Sequence, residues 1–505
     1  MNELNNTEYR ETRVEQEPPS VLTRSLSAGY WSLLDTIMQK VLIFGSFFIT
    51  ARLLTPADFG LIALAAIYPN LLDSFTAIAF DTALTQRKSG EERMYLSVVW
   101  TFNILRSFVV FILVYASAFV FARLFHTPDT LLLFQLAALP LLIQSFANIG
   151  QIYLFRELEL KKIFIRDMVS YVTTAIVSVA TAFILHTYWA LFIGNIMGMI
   201  AAVIMTYTLQ NYRPRFDFLF HKLKPLLGFS QWIFGQGLVT RLAQTLEDGV
   251  IGHFTNPASV GLYSKSKSLA YAPTSPLANI IGKIGFSALV ATEGSLPHVR
   301  EGFHKSFDLA LFVAVPFMVI IWLFGANLVH IILGDTWMGV VPLLNSLVVV
   351  SGLNASILSI TAMIMNAVGR PQLQFRLNVI SFICVIAFLP LLVITKGVIG
   401  AAFALLATAF IVNGYGLYIV NKTISPAWKR VVEGVLVSFT AALLPILPII
   451  YFSHSIMGNP TLFFISLILY GISYLSTIFL FGRKFHKGPL ATLLVVFSVL
   501  FRKYR

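Results

Sequence analysis

The chain has 505 residues, of which 57% are hydrophobic and only 12% charged, whereas soluble domains carry roughly 25% charged residues. A soluble globular protein is excluded, which leaves a polytopic membrane protein. The net charge of +13 does not signal a nucleic-acid partner, because the basic residues alternate from loop to loop instead of forming one patch.

Residues 1–25 read as a polar cytoplasmic tail, with five Glu among Arg10 and Arg13. No secretory apolar region precedes the first span, which is expected to remain as an uncleaved anchor. About 20 apolar residues suffice for a helical crossing. Fourteen such stretches follow, near 28–52, 59–84, 95–122, 129–150, 164–186, 188–210, 229–254, 260–292, 306–333, 338–367, 375–395, 397–420, 430–453 and 460–482. They are long and continuously apolar, unlike the short alternating segments of membrane strands. The predicted fold is therefore an all-α polytopic membrane protein. Its organisation is read as a lobe over 26–212 (spans 1–6), an aromatic and basic linker over 213–228 that resembles an interfacial helix, and a second lobe over 229–421 (spans 7–12). Two extra helices follow over 422–485, then a basic amphipathic cytoplasmic tail over 486–505. With the N-terminus in the cytoplasm, 27 of the 36 Lys and Arg fall in cytoplasmic segments and only Arg52, Arg123 and Lys396 lie outside. This places both termini inside by the positive-inside rule. The single Cys384 excludes an intramolecular disulfide or a multi-cysteine metal site.

A shift of 201 positions lays residues 31–61 over 232–262 without a gap, matching Trp31 to Trp232, Pro56 to Pro257, Ala57 to Ala258, Gly60 to Gly261 and Leu61 to Leu262. Spans 1 and 7 are thus read as equivalents in a parallel repeat, because an even number of spans separates them. The same shift sets Lys40 on Arg241 and Arg52 on His253. In each exterior turn a Pro is expected to end a helix and a Gly four residues later to permit the reversal.

Six cations lie inside the spans: Lys40, Arg106, Arg241, Lys265, Lys267 and Lys283. A charge among hydrocarbon is costly unless it is paired or faces water, so the cluster predicts a wet cationic cavity with an anionic ligand, phosphate or diphosphate being the natural candidate. Lys40 and Arg241, as repeat equivalents, would grip the diphosphate from the two lobes, with Lys265, Lys267 and Lys283 extending the basic surface. Arg106 has no evident partner in the sequence and is read as the most structural of the six. The positive field is expected to be stronger on the side of spans 7 and 8, where Pro273 and Pro276 should kink the helix. Asp35, Asp73, Asp81, Glu247 and Asp248 are the buried carboxylates. Of these Asp35, Asp73, Glu247 and Asp248 are candidates for binding a coupling proton or Na⁺, with packing salt bridges the equal alternative. No nucleotide-binding Gly-rich loop or HExxH motif is present and no loop is large enough to hold a soluble donor, so neither an enzyme nor a cofactor is expected. Two rival readings are a drug or organic-cation antiporter and a membrane-embedded polysaccharide-modifying transferase.

Several segments resemble the Wzx-type polysaccharide-transport proteins of the multidrug/oligosaccharidyl-lipid/polysaccharide exporter superfamily, in particular the colanic-acid exporter and lipopolysaccharide-biosynthesis branch. They are Leu54-Thr-Pro-Ala-Asp-Phe-Gly60, Thr82-Ala-Leu-Thr-Gln-Arg-Lys88, Phe155-Arg-Glu-Leu-Glu-Leu-Lys161, Gly261-Leu-Tyr263, Gly334-Asp-Thr-Trp337 with Pro342-Leu-Leu344, and Gly400-Ala-Ala402. The resemblance implies two six-helix bundles around a central cavity, plus two C-terminal helices. It also implies alternating-access translocation of an undecaprenyl-diphosphate-linked oligosaccharide across the bacterial inner membrane, with cavity cations holding the diphosphate. Its expected partners are that lipid-linked oligosaccharide, the bilayer and a polysaccharide polymerase.

Overall fold

The computed structural model describes residues 21–76, 84, 93–280, 282, 296–445 and 460–485. Lys283, Asp81 and both tail segments, 1–20 and 486–505, lie outside the described residues. Among those described, every regular element is helical. In chain order they are α1 (Val21–Leu53), α2 (Pro56–Thr76), α3 (Arg93–Leu124), α4 (Leu131–Leu136), α5 (Leu139–Ser145), α6 (Gln151–Arg156), α7 (Leu160–Leu185), α8 (Trp189–Leu209) and α9 (Lys224–Phe254). Then come α10 (Pro257–Tyr271), α11 (Thr274–Ile280), α12 (Leu296–Ile332), α13 (Val340–Leu353), α14 (Ser359–Ala367), α15 (Pro371–Lys396), α16 (Val398–Ile424), α17 (Trp428–Leu443) and α18 (Pro460–Phe485).

Among the described residues, eleven segments are long and apolar enough to cross a membrane. The other three expected spans fall on α9, α10 with α11, and α17. The first two carry the ionisable residues of spans 7 and 8, so their shortfall in hydropathy has the same origin as the site they build. Span 8 is broken as its prolines require: α10 stops at Tyr271, Ala272 and Pro273 form a turn, and α11 restarts at Thr274. Span 10 carries a π-helical turn over Asn354–Leu358, between α13 and α14.

The two repeat-equivalent turns work differently from the expectation. Pro56 and Pro257 each begin a helix, at the position where a missing N–H costs nothing. Thr55 donates from both its N and Oγ1 to Asp58 Oδ2 at 2.9 and 2.7 Å, and Asn256 Oδ1 accepts from Ser259 N at 2.9 Å, so each helix start is capped. The reversal itself needs only the two residues before each Pro. Gly60 and Gly261 instead lie within α2 and α10, where the two helices pack along each other. A Cβ on Gly60 would sit 1.7 Å from the carbonyl oxygen of Pro257, and one on Gly261 would sit 1.9 Å from that of Pro56. Each lobe's glycine therefore receives the other lobe's proline.

The same reciprocity recurs one layer out. The Arg52 guanidinium, ending α1, donates to the carbonyls of Ile331 and Ile332 at the end of α12, the latter at 3.0 Å. His253, its repeat equivalent at the end of α9, places Nδ1 3.2 Å from the carbonyl oxygen of Leu124 at the end of α3. Spans 3 and 9 are themselves six apart, so each residue meets the C-terminal carbonyls of the equivalent helix in the opposite lobe. Between these contacts lies Trp337, fully buried. Its ring meets Phe47 and Phe59 edge-on, with centroids 5.5 and 5.3 Å away, and its Nε1 donates to Ala51 O at 2.9 Å. The two lobes are sealed to each other at this end of the bundle.

The 213–228 linker is not an interfacial helix throughout. Residues 210–219 carry no helix, and a single 3₁₀ turn, Phe220–Leu223, leads into α9. Its backbone N–H groups turn to α3: Asp217 N donates to Thr101 Oγ1 at 3.0 Å and Arg215 N to Ser97 Oγ at 3.4 Å, while the Asn148 amide donates to Tyr212 O at 2.6 Å. Side chains of the first lobe thus replace the i−4 carbonyls that a helix would supply, and Pro214 removes one donor from that helix.

Candidate substrate-binding cavity

A cavity of about 1200 Å³ runs through the first lobe, bounded by α1, α2, α3, α5, α6, α7 and α8, and closed on its remaining side by Arg241, Ser264 and Lys265 of α9 and α10. Its wall is therefore mostly built by the first lobe. The net charge, in contrast, falls on the side of spans 7 and 8. Its lining cations divide evenly, Arg106 and Arg166 from the first lobe and Arg241 and Lys265 from the second. Among the described residues Asp73 and Asp167, both of the first lobe, oppose them, leaving a formal lining charge of +2 on the second lobe's side.

Asp73 on α2 is the centre of the charged wall. Arg106 Nη1 donates to its Oδ1 at 2.7 Å and also to Thr76 Oγ1 at 3.1 Å; Arg241 Nη1 reaches its Oδ2 at 3.1 Å. The expectation that Arg106 lacks a partner is corrected here, because its partner lies 33 residues earlier on the neighbouring helix. Arg106 and Asp73 are 16% and 17% exposed while Arg241 is 58% exposed, so the Arg241 fork presents most of its donors to the cavity. Two guanidinium groups on one carboxylate leave a full positive charge unspent, and Asp73–Arg241 is also an ion pair between the lobes.

Lys265 has no carboxylate partner among the described residues. Its ammonium stands over the faces of Phe47 and Phe59, 5.0 and 4.8 Å from the ring centroids. These are the rings that hold Trp337, so the cation sits just beneath the seal. Cation–π attraction of this kind contributes about 0.5–2 kcal/mol, and it leaves the charge free for an anion. On α7, Arg166 donates from Nε and Nη2 to Asp167 at 2.8 and 3.0 Å and from Nη1 to Gln151 Oε1 at 2.6 Å.

The remaining candidates separate from this group. Lys267 is paired with Glu247, which also accepts from Tyr263 Oη at 3.0 Å; Glu247 and Tyr263 are buried. Lys267 is thus neutralised inside the second lobe. Replacing it with Met is expected to destabilise the protein by about 3–5 kcal/mol by stranding the Glu247 charge. Adding Glu247→Gln should recover most of that loss, and thermal unfolding in detergent measures both. Lys40 is half-buried, lines neither cavity and has no ion pair among the described residues. Asp35, on the α1 side facing α7, leaves a buried Oδ1 without a hydrogen-bond partner. Asp248 lines a smaller pocket of about 440 Å³ beside the main cavity.

Residues 49–342 match the family described as Polysaccharide biosynthesis protein. The chain belongs to that family. Among polysaccharide biosynthesis proteins, it is 22% identical over 389 residues to the lipopolysaccharide biosynthesis protein WzxC of Escherichia coli (strain K12), covering 76% of this chain and 77% of that one. It is also 22% identical over 344 residues to the succinoglycan biosynthesis transport protein ExoT of Rhizobium meliloti (strain 1021), covering 66% and 68%. In fold it is similar to the lipid II flippase MurJ in an inward closed conformation, with a TM-score of 0.70, 16% identity, and coverage of 92% of this chain and 100% of that chain. An inward-facing multidrug resistance MATE family transporter of the MOP superfamily is more distant, with a TM-score of 0.54, 16% identity and coverage of 79% and 94%. At such identities the structural likenesses speak for the fold alone.

Arg166, Asp167 and Gln151 line the cavity without standing out in the sequence. The signal was an adjacent Arg–Asp pair in the first turn of span 5, where charges read as a solvated helix end. The aromatic seat of Lys265 carried no signal, because Phe47 and Phe59 read as ordinary core positions.

Proposed function

We propose that this protein is a transporter that moves polyprenyl-diphosphate-linked oligosaccharide units across the bacterial inner membrane by alternating access, with no covalent chemistry, for surface polysaccharide assembly. The observation that carries the reading is the cross-lobe cluster of Arg106, Asp73 and Arg241, joined by Lys265, in a cavity whose lining is net positive. Family membership supports it. In this reading residues 26–212 and 229–421 are the two lobes, both termini are cytoplasmic, and the end closed by Gly60, Gly261 and Trp337 is the exterior face, so the cavity is loaded from the cytoplasm. A diphosphate takes the Arg241 fork in competition with Asp73. Binding thereby loosens the ion pair that ties the lobes together, and the lobes can rearrange around an occupied site.

The four basic lining side chains disfavour an organic-cation substrate. Proteoliposomes holding the protein and a fluorescent polyprenyl-diphosphate oligosaccharide test this: label should become accessible to an impermeant quencher at a rate set by protein content. Excess unlabelled prenyl diphosphate should suppress the rate and a cationic dye should not; the opposite pattern would favour the drug-antiporter reading.

A further inference from the structure

The 440 Å³ pocket beside the main cavity has a chemistry of its own. It lies between α2, α9 and α10 and shares Arg241 and Ser264 with the larger space. Its polar lining is Asn70 and Ser74 from α2, Gln244, Thr245 and Asp248 from α9, and Ser264 from α10, and Arg241 is its one basic residue among those described. On α9, Arg241, Gln244, Thr245 and Asp248 follow at helical spacing, so they lie along one face. At 1.5 Å rise per residue, Asp248 stands about 10 Å along the axis from Arg241. The pocket therefore extends away from the diphosphate clamp toward a single carboxylate.

Among the described residues no hydrogen bond joins the side chains of Asn70, Gln244, Thr245, Asp248 or Ser264 to another residue, and Lys267, the cation that acts on Asp248, is held by Glu247. Polar groups at membrane depth without a protein partner are met by water or by ligand. Two amides and the hydroxyls offer both donors and acceptors, which is what a pyranose presents at each hydroxyl. Ala63, Ala66 and Ile67 add a low apolar wall for the C–H face of a ring. The volume of about 440 Å³ falls within the range of small-ligand pockets.

The geometry points to a saccharide subsite in which the sugar attached to the diphosphate enters the pocket between α2 and α9, and Asp248 selects a neutral or amino sugar there over a hexuronic acid. The selectivity follows from charge. A carboxylate accepts from neighbouring hydroxyls or from an ammonium and repels a second carboxylate in a poorly screened space. This assignment rests on the reading that Arg241 holds the diphosphate.

The test uses the full chain in nanodiscs and four short-chain prenyl diphosphates: one bare, and three carrying a hexose, a hexosamine or a hexuronic acid. Wild type should bind the hexose and hexosamine conjugates at least tenfold more tightly than the hexuronate, and Asp248→Asn should shrink that ratio to within threefold. Gln244→Ala, checked for an unchanged unfolding temperature, should weaken the hexose and hexosamine conjugates about tenfold relative to the bare probe. Equal binding of the three sugars by wild type, a ratio untouched by Asp248→Asn, or no effect of Gln244→Ala would each overturn the subsite. Failure of the bare prenyl diphosphate to bind wild type would instead overturn the diphosphate clamp, so the two readings fail separately.

Discussion

Arg241→Ala is expected to lower translocation of a polyprenyl-diphosphate oligosaccharide about a hundredfold. Removing one partner of a hydrogen-bonded charge contact costs about 2–5 kcal/mol, and here the deleted group is the exposed fork of the Asp73 cluster, the second lobe's grip on the anion. Arg241→Lys keeps the charge and loses the planar fork, so an intermediate loss of about tenfold is expected. Asp73→Asn should separate binding from movement. It frees both arginines for the ligand, so prenyl diphosphate should bind more tightly, while transport falls because substrate no longer exchanges for an ion pair between the lobes. Equilibrium binding and quencher accessibility on the same preparations give the two numbers. Wild-type transport by a stably inserted Arg241→Ala protein would remove the cluster from the mechanism.

The second large effect is expected at Gly60. A side chain there meets the Pro257 carbonyl, whose place in α10 leaves little freedom to yield. Gly60→Val and Gly261→Val should each force α2 and α10 apart and empty the closed state, cutting transport more than tenfold. Gly45→Ala on α1, with nothing within 4 Å of the added carbon, should be close to neutral. Because Cys384 is the only cysteine, one substitution gives a background for spin labels at Thr55 and Asn256. The distance between those labels should lengthen in both valine variants and stay at the wild-type value in Gly45→Ala. An unchanged distance with full transport would show that the close approach does not hold the seal.

Most of the fold was legible because hydrophobic length is a local property. The boundaries of spans 3, 5 and 12 were read within a few residues, and the break at Ala272–Pro273 followed from proline. The linker was misread because its backbone partners, Ser97, Thr101 and Asn148, lie more than 60 residues away, and composition alone cannot distinguish a helix from a strand tied down by side chains. The site was legible in kind and not in detail. Intramembrane cations announced a charged interior, yet only tertiary contacts sort them: Arg106 and Arg241 share Asp73, Lys265 rests on aromatic rings, and Lys267 is spent on Glu247. The repeat made Gly60 and Gly261 equivalents, but equivalence of position does not say that two residues touch.

That touching has a mechanical meaning. Gly60 meets Pro257 while Gly261 meets Pro56, and Arg52 and His253 each cap a helix of the other half, so the contact is isologous, the self-complementary kind made by a two-fold pair. Such an interface has one register. Sliding α2 along α10 in either direction breaks both glycine contacts at once. Opening this end therefore means losing both contacts together rather than one after the other.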